Sequence, residues 1–214
     1  MNHSGFGFLL PAFGISLLLL VIGVYHPSPV ILSFSLIFFM FSLFIVYFFR
    51  DPERITPNGD KLIVSAADGR VISIKPAGNM EFIGTDGTLV SIFMSVFDVH
   101  VNRIPVSGSV NYIKYNAGKF LPAFRDKASL ENEQTEIGLQ TAHGRIVMKQ
   151  IAGIIARRIV CKIKSGDPVT TGMRFGMIKF GSRVDLYLPG NVEIKIKPNQ
   201  KVKAGETIIG VFNR

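Results

Sequence analysis

The pattern of hydrophobic and polar positions divides this chain near residue 49. Phe6 to Tyr25 and Val30 to Phe49 are almost unbroken apolar runs. Each is long enough for roughly 30 Å of helix, the thickness of a bilayer's hydrocarbon core. His26-Pro27-Ser28-Pro29 between them is a short link that breaks a helix, so the two runs predict a helical hairpin. Pro11 and Gly14 predict a bend or fraying early in the first span. From residue 61 the pattern becomes one of short runs: Leu62-Ile63-Val64, Arg70–Ile74, Leu89–Met94, Val110–Tyr115, Ile146–Ala152, Arg158–Ile163, Val184–Leu188, Val192–Ile196 and Thr207–Phe212. Most are rich in β-branched or aromatic residues, and Gly, Pro, Asn or Asp lie between them. Many short strands with tight turns predict a mainly β barrel or sandwich. Gly118 to Gly138, with Phe120-Leu121-Pro122-Ala123-Phe124 followed by polar Lys127–Glu136, reads instead as a long loop with room for a helical turn, and such loops often carry function. Its apolar start fits a dip into lipid and an ordinary surface loop equally well.

Charge sharpens this division. Residues 1–49 hold no Asp, Glu, Lys or Arg, so all 24 basic and 15 acidic residues, and the whole net charge of +9, fall in 50–214. The chain therefore predicts a membrane-anchoring segment, 1–49, and a basic domain, 50–214, of ordinary domain size. A cleaved signal peptide is disfavoured because no Lys or Arg precedes the first run; a hairpin that enters and leaves one membrane face also fits. Arg50, Arg54 and Lys61 follow the second run directly, which predicts a cytoplasmic-side domain on a cell membrane. Arg50-Asp51-Pro52-Glu53-Arg54 itself reads as a membrane-interface anchor. A basic domain suits an anionic membrane surface. No helix-turn-helix or aromatic-basic motif points to nucleic acid. The single cysteine, Cys161, rules out an intrachain disulfide. No HExxH, CxxC pair or ligand cluster predicts a metal.

Three places can carry chemistry. Lys179 to Pro189 reads as one strand, with Ile178, Phe180, Val184, Leu186 and Leu188 on its apolar face. Ser182 shares their parity and is predicted to point inward, directly after Gly181, which can adopt backbone angles closed to other residues. A buried hydroxyl needs a partner, and a backbone carbonyl would serve. The G-x-S-x-G elbow of conventional hydrolases is absent. Second, on a strand Asp98, His100 and Asn102 share one face. A nearby Asp can fix a histidine's tautomer and raise its basicity, although the pattern alone equally describes the polar side of an amphipathic strand. Third, Asp68-Gly69 reads first as a hairpin turn, and His143, before Gly144, as a turn residue.

A short internal repeat lies near the C-terminus. Asp167-Pro168-Val169-Thr170-Thr171-Gly172 and Gln200-Lys201-Val202-Lys203-Ala204-Gly205 match at an offset of 33 (200 − 167), each with V-x-x-G after a polar turn. These paired turns resemble the two halves of a biotinyl- or lipoyl-type barrel-sandwich. Neither half carries a lysine flanked by methionines, so a swinging-arm carrier is not predicted.

Taken in order, Phe49-Arg50-Asp51-Pro52-Glu53-Arg54, Ala67-Asp68-Gly69, Asp98-Val99-His100-Val101-Asn102-Arg103-Ile104-Pro105, Leu130-Glu131-Asn132-Glu133, Gln150-Ile151-Ala152-Gly153 with Ala156-Arg157-Arg158, and Phe180-Gly181-Ser182-Arg183-Val184-Asp185 resemble the short-form phosphatidylserine decarboxylase proenzymes. The related archaetidylserine decarboxylases share the short form, so the lipid backbone stays open. The resemblance implies that Ser182 attacks the carbonyl of Gly181, that the resulting ester undergoes β-elimination, and that the new N-terminus becomes a covalent pyruvoyl group. The products would be a β chain, 1–181, and an α chain, 182–214. It implies roles for Asp68 and His100 in activating Ser182, a Schiff base between the pyruvoyl group and the amine of an anionic aminophospholipid, and His100 as proton donor in turnover. Longer bacterial relatives carry a second histidine where this chain has Arg103. Either His100 serves both steps or His143 fills the gap. Membrane and lipid are then the partners, a homo-oligomer is compatible, and nucleic acid is not a partner. Apart from the resemblance, the same features fit a non-enzymatic, membrane-anchored barrel-sandwich adaptor in which Ser182 is an ordinary buried serine.

Overall fold

Two serines tie the apolar helices together. In the computed structural model, which describes residues 5–78, 80–124, 128–154, 159–179 and 181–213, α1 spans Phe6–Tyr25 and α2 spans Pro29–Phe48. Ser16 Oγ donates to the Ser35 carbonyl (3.0 Å), and Ser35 Oγ returns a bond to the Ser16 carbonyl (2.8 Å). Hydroxyl pairs of this kind suit helices whose remaining surface is apolar, because few other polar partners exist there. Ser28 caps α2 and Pro29 occupies its first turn, where a missing N–H costs nothing. Both helices are long and apolar enough to cross a membrane. The chain divides into two compact units, Met1–Pro52 and Glu53–Arg214.

The second unit is mainly β. Its strands are β1 Leu62–Val64, β2 Gly69–Ala77, β3 Gly87–Met94, β4 Val101–Arg103, β5 Gly108–Asn116, β6 Gln134–Gln140, β7 Arg145–Ala152, β8 Ile159–Cys161, β9 Pro168–Val169, β10 Arg174–Ile178, β11 Ser182–Pro189, β12 Val192–Ile194, β13 Lys201–Val202 and β14 Ile208–Phe212; a short helix, α3, spans Ala128–Glu131. Eight strands form one curled sheet in the order β13-β2-β3-β11-β7-β6-β5-β9, and two three-stranded sheets, β1-β14-β12 and β4-β10-β8, complete the fold. β11 lies inside the large sheet, antiparallel to β3 and β7, with Ser182 opposite both Met94 and Ala152. Val184, Leu186 and Leu188 of β11 join Val71, Ile92 and Met148 in the core, each fully buried aliphatic side chain contributing roughly 1.5–3 kcal/mol.

Three expectations about elements need correction. The strand expected over Lys179 to Pro189 begins only at Ser182: β11 runs to Pro189 in the large sheet, while Ile178, expected on the same apolar face, ends β10 in a small sheet. The change of sheet is made at Gly181, whose φ of +68° breaks the extended path and is open to glycine at little cost. The long loop also ends earlier than expected, since β6 already begins at Gln134 and pairs with both β5 and β7. Of Asp98, His100 and Asn102, expected to share a strand face, Asn102 alone lies within a strand, β4. Phe180, Lys127 and Ala156-Arg157-Arg158 lie outside the described residues.

The repeat occupies equivalent places. β9 and β13 are the two end strands of the large sheet, and each leads through a turn to a glycine in the left-handed region, Gly172 at φ +81° and Gly205 at φ +75°.

Candidate active site

The Gly181–Ser182 peptide sits where two sheets meet. Ser182 is fully buried, as parity predicts. Parity alone does not single it out, however, because Arg183 and Asp185 on the opposite face of β11 are buried too. Among the described residues, the Ser182 hydroxyl donates to no backbone carbonyl; it points at the thioether of Met94, 3.3 Å away, a weak acceptor. The hydroxyl's partner is thus a weak one. A side chain at Gly153 would put its Cβ 2.2 Å from the Gly181 carbonyl oxygen, so the bare backbone of Gly153 is what lets that carbonyl approach β7.

His100 lies beside this peptide. Fully buried, it is on no exposed polar face. The Gly181 N–H donates to its Nε2 at 3.4 Å, and its Nδ1 lies 3.0 Å from the Asp98 carbonyl. That pairing corresponds to the tautomer with Nδ1 protonated and the Nε2 lone pair directed at the Gly181 backbone. The hydrogen-bonding atom is thus the Asp98 main-chain oxygen; the Asp98 carboxylate accepts from the N–H and hydroxyl of Ser95. Asn102, fully buried on β4, donates to Met94 Sδ at 3.7 Å and accepts from Gln150 Nε2 at 2.8 Å. Gln150 Oε1 is buried without a hydrogen-bond partner. Met94, Asn102 and Gln150 therefore form a polar chain ending at the Ser182 hydroxyl. Side-chain alternation puts Asn102 on the His100 face, but nothing in the sequence by itself gives any of the three a role.

The opposite face of β11 is tied down by charge. The Arg183 guanidinium donates to both Asp185 carboxylate oxygens (2.6 and 3.1 Å) and to Ser91 Oγ, while Ser129 Oγ of α3 donates to Asp185. Asn132 holds the Leu121 backbone through both its N–H and its carbonyl, and donates to the carbonyl of Ala152, the β7 residue opposite Ser182. These bonds fasten Leu121, Ser129 and Asn132 near the start of β11.

Asp68 lies farther off. Arg70, Phe93 and Arg183 share one row across β2, β3 and β11, so Asp68 comes just past the row of Ser182, two strands away, roughly 10 Å at about 4.8 Å per strand. Its Oδ2 accepts from Arg54 (2.7 Å) and its Oδ1 from the Ala204 N–H (2.8 Å). Burial raises its pKa above the usual carboxylate value, and the Ala204 and Arg54 bonds oppose that rise. Arg54, expected as an interface anchor, is a buried partner of Asp68 and of Glu206. Arg103 is buried as well. Its guanidinium donates to the Gly172 carbonyl at 2.9 Å, and a Cβ at Gly205 would fall 2.9 Å from its Cδ. It ties the two repeat turns together. His143 is remote: it precedes β7, whose other end carries Ala152, seven residues from Arg145 (152 − 145) or roughly 23 Å at about 3.3 Å per residue. There its Nε2 meets Asp60 at 3.1 Å and its ring lies against Phe212. The geometry therefore gives His143 no place at Gly181.

An apolar cavity of about 300 Å³ opens at Gly181, lined by Phe93, Val96, Ala123, Phe124 and Ile154 among others. A Cβ at Gly181 would meet nothing within 4 Å. The room beside this peptide and the weakly held hydroxyl fit a small carbonyl group produced from Ser182. Among the described residues, no group of three or more His, Cys, Asp or Glu is arranged to hold a metal ion.

Comparison with known proteins adds the family. A model of the family described as phosphatidylserine decarboxylase matches residues 41–210. The chain is similar to a phosphatidylserine decarboxylase proenzyme of Geobacter sulfurreducens, 46% identical over 210 residues (98% of this chain and 95% of the relative). It is also similar to that of Chlorobaculum tepidum, 49% identical over 185 residues (86% and 84%), and to one of Chlorobium phaeobacteroides, 51% identical over 170 residues (79% and 80%).

Proposed function

Because the chain belongs to the phosphatidylserine decarboxylase family, we propose that it is the membrane-held precursor of an enzyme that cuts itself at Gly181–Ser182 and then removes CO₂ from phosphatidylserine to give phosphatidylethanolamine. The observation that carries this reading is the peptide itself. A buried, weakly bonded serine follows a glycine at positive φ, with an imidazole hydrogen-bonded to the glycine and an apolar cavity alongside.

In self-cleavage the Ser182 oxygen attacks the Gly181 carbonyl carbon, with His100 assisting transfer of the hydroxyl proton to the Ser182 nitrogen. The C–N bond breaks as the ester forms. Loss of the Ser182 α-proton then expels the Gly181 carboxylate, and hydrolysis with loss of ammonia leaves a pyruvoyl group at the head of 182–214. Asp68 acts at longer range. Its carboxylate, held by Arg54 and the Ala204 N–H, fixes the turn into β2 beside the row of Ser182. Once formed, the pyruvoyl group supplies the electron sink that decarboxylation of an amino acid headgroup requires. The chain's own residues do the rest. His100 delivers a proton to the substrate α-carbon, and the Phe93 and Phe124 walls exclude water. The hairpin keeps the domain at the membrane that contains its substrate, on the cytoplasmic side.

Intact mass and denaturing gels test this. The precursor of 23.6 kDa is expected to yield a fragment beginning at residue 182 with a blocked N-terminus, and Ser182→Ala to stay whole and inactive. An active preparation consisting of a single intact chain would overturn the reading.

A further inference from the structure

The rim of the cavity is more apolar than a water-facing loop cluster needs to be. Phe97 is 64% exposed at the tip of the 95–98 turn, which is closed by Ser95 and Asp98. Phe120 (40%) and Phe124 (60%) lie on the segment that Asn132 fastens down, and Ile154 (58%) follows β7. Val96, Phe124 and Ile154 line the cavity, and the Phe124 ring packs edge-on against Phe93 at 6.1 Å. Three separate loops therefore line one opening through Val96, Phe124 and Ile154, and two of them carry a further exposed ring, Phe97 or Phe120, next to their lining residues in sequence, a clustering that marks an interaction surface. Two further facts identify the occupant. The chain carries two helices of membrane-spanning length and apolarity, and all of its net charge of +9 lies in the part that bears these loops, which suits an anionic lipid surface.

We infer that the tips of the 95–98, 120–124 and 153–154 loops are a second lipid contact, which seats the mouth of the cavity in the interface of an anionic bilayer. The aromatic rings enter the boundary between headgroups and acyl chains, and a lipid headgroup reaches Gly181 without its acyl chains crossing water. The contact depends on the function proposed above only for its purpose, not for its existence.

The chain has no tryptophan, so single replacements report on single places. Full-length Phe97→Trp, Phe120→Trp and Asn191→Trp chains, the last at the far end of β11, would be reconstituted in phosphatidylcholine–phosphatidylglycerol vesicles with brominated acyl chains. Phe97→Trp and Phe120→Trp are expected to emit further to the blue than Asn191→Trp and to be quenched about threefold more strongly, as interfacial side chains are. Equal emission and quenching at all three places would overturn the inference. In a second measurement, the Phe97→Asp/Phe120→Asp chain is expected to lose roughly fivefold in turnover of long-chain phosphatidylserine in vesicles, since a charge opposes interfacial insertion, while turnover of a dispersed short-chain analogue is retained. An equal loss on both substrates would overturn it. A gel on the same samples separates the two ideas. Quenched probes on an uncleaved chain sink the decarboxylase reading alone, and unquenched probes on a cleaved chain sink the lipid contact alone.

Discussion

The two ends of β11 each have a histidine nearby, and the difference between them shows what makes a site. At the Ser182 end, His100 is wholly buried, bonded through one nitrogen to the Asp98 carbonyl and through the other to the Gly181 N–H. Around it lie a hydroxyl with only a sulfur for a partner, a glutamine oxygen with none, and an apolar cavity. At the Pro189 end, His143 is half-buried in a turn. Its ring nitrogen meets Asp60, a neighbouring amide bonds to its carbonyl, and Phe212 covers its face. One imidazole is held against the Gly181–Ser182 peptide, and the other against partners that satisfy it. Weakly bonded or unpaired polar groups beside room for a ligand distinguish the end proposed as the active site.

Replacing each histidine gives the widest separation. His100→Ala is expected to slow self-cleavage or turnover by about 10²–10⁴-fold, the usual contribution of a positioned acid or base, whereas His143→Asn should change either by less than about twofold, as substitutions away from reacting groups do. Similar losses from both would collapse the comparison. Gly153→Ala comes next. Its Cβ would meet the Gly181 carbonyl oxygen at 2.2 Å, and displacement of the scissile carbonyl by about 1 Å is expected to slow cleavage roughly a hundredfold while the chain still folds. A time course of fragment appearance reads this.

Asn102→Ala sharpens the role of the polar chain. It leaves the buried Gln150 amide without its acceptor, a loss of about 1–3 kcal/mol readable by denaturant unfolding, with slower cleavage because Met94 loses its second donor. The smallest effect belongs to a region away from the site. Tyr112 donates to Glu136 at 2.7 Å, and burial together with that carboxylate pushes the phenol's pKa well above 10.0. Because the folded pKa is raised, this stabilisation is complete below pH 10 and is lost as pH rises further. Tyr112→Phe should therefore cost about 1 kcal/mol at neutral pH, with the difference from the unaltered chain shrinking above pH 10 in thermal melts. Glu136 behaves in the opposite sense. Burial alone would raise its pKa, but hydrogen bonds from Lys149 and Tyr112 hold it below 4.5, so its contribution is present above pH 4.5 and fades in acid.

Much of the fold was legible in residue order. The hairpin followed from two runs of apolar residues, and most strands from β-branched clusters between turn residues, because burial and backbone preference act locally. β6 was missed where Gln134, Thr135 and Glu136 disguise a strand whose neighbours on both sides complete its hydrogen bonds. Charge after an apolar run usually marks an interface anchor, but the carboxylate partners of Arg54 lie 14 and 152 residues further along (68 − 54 and 206 − 54). Arg103, read against relatives as a missing histidine, spans the Gly172 and Gly205 turns.

The sequence alone determined that Ser182 lies on the core-facing side of its strand and that a glycine precedes it, since side-chain alternation and the missing Cβ are local properties. It also determined the apolar hairpin and the uneven placement of charge. Tertiary structure decided the rest. It started the strand only at Ser182, after Gly181, put Met94 under the hydroxyl and His100 over the glycine, and sent His143 to the other end of β7. Those choices depend on strand register and sheet closure, which are set by contacts between residues far apart in the chain and leave no periodic trace within it.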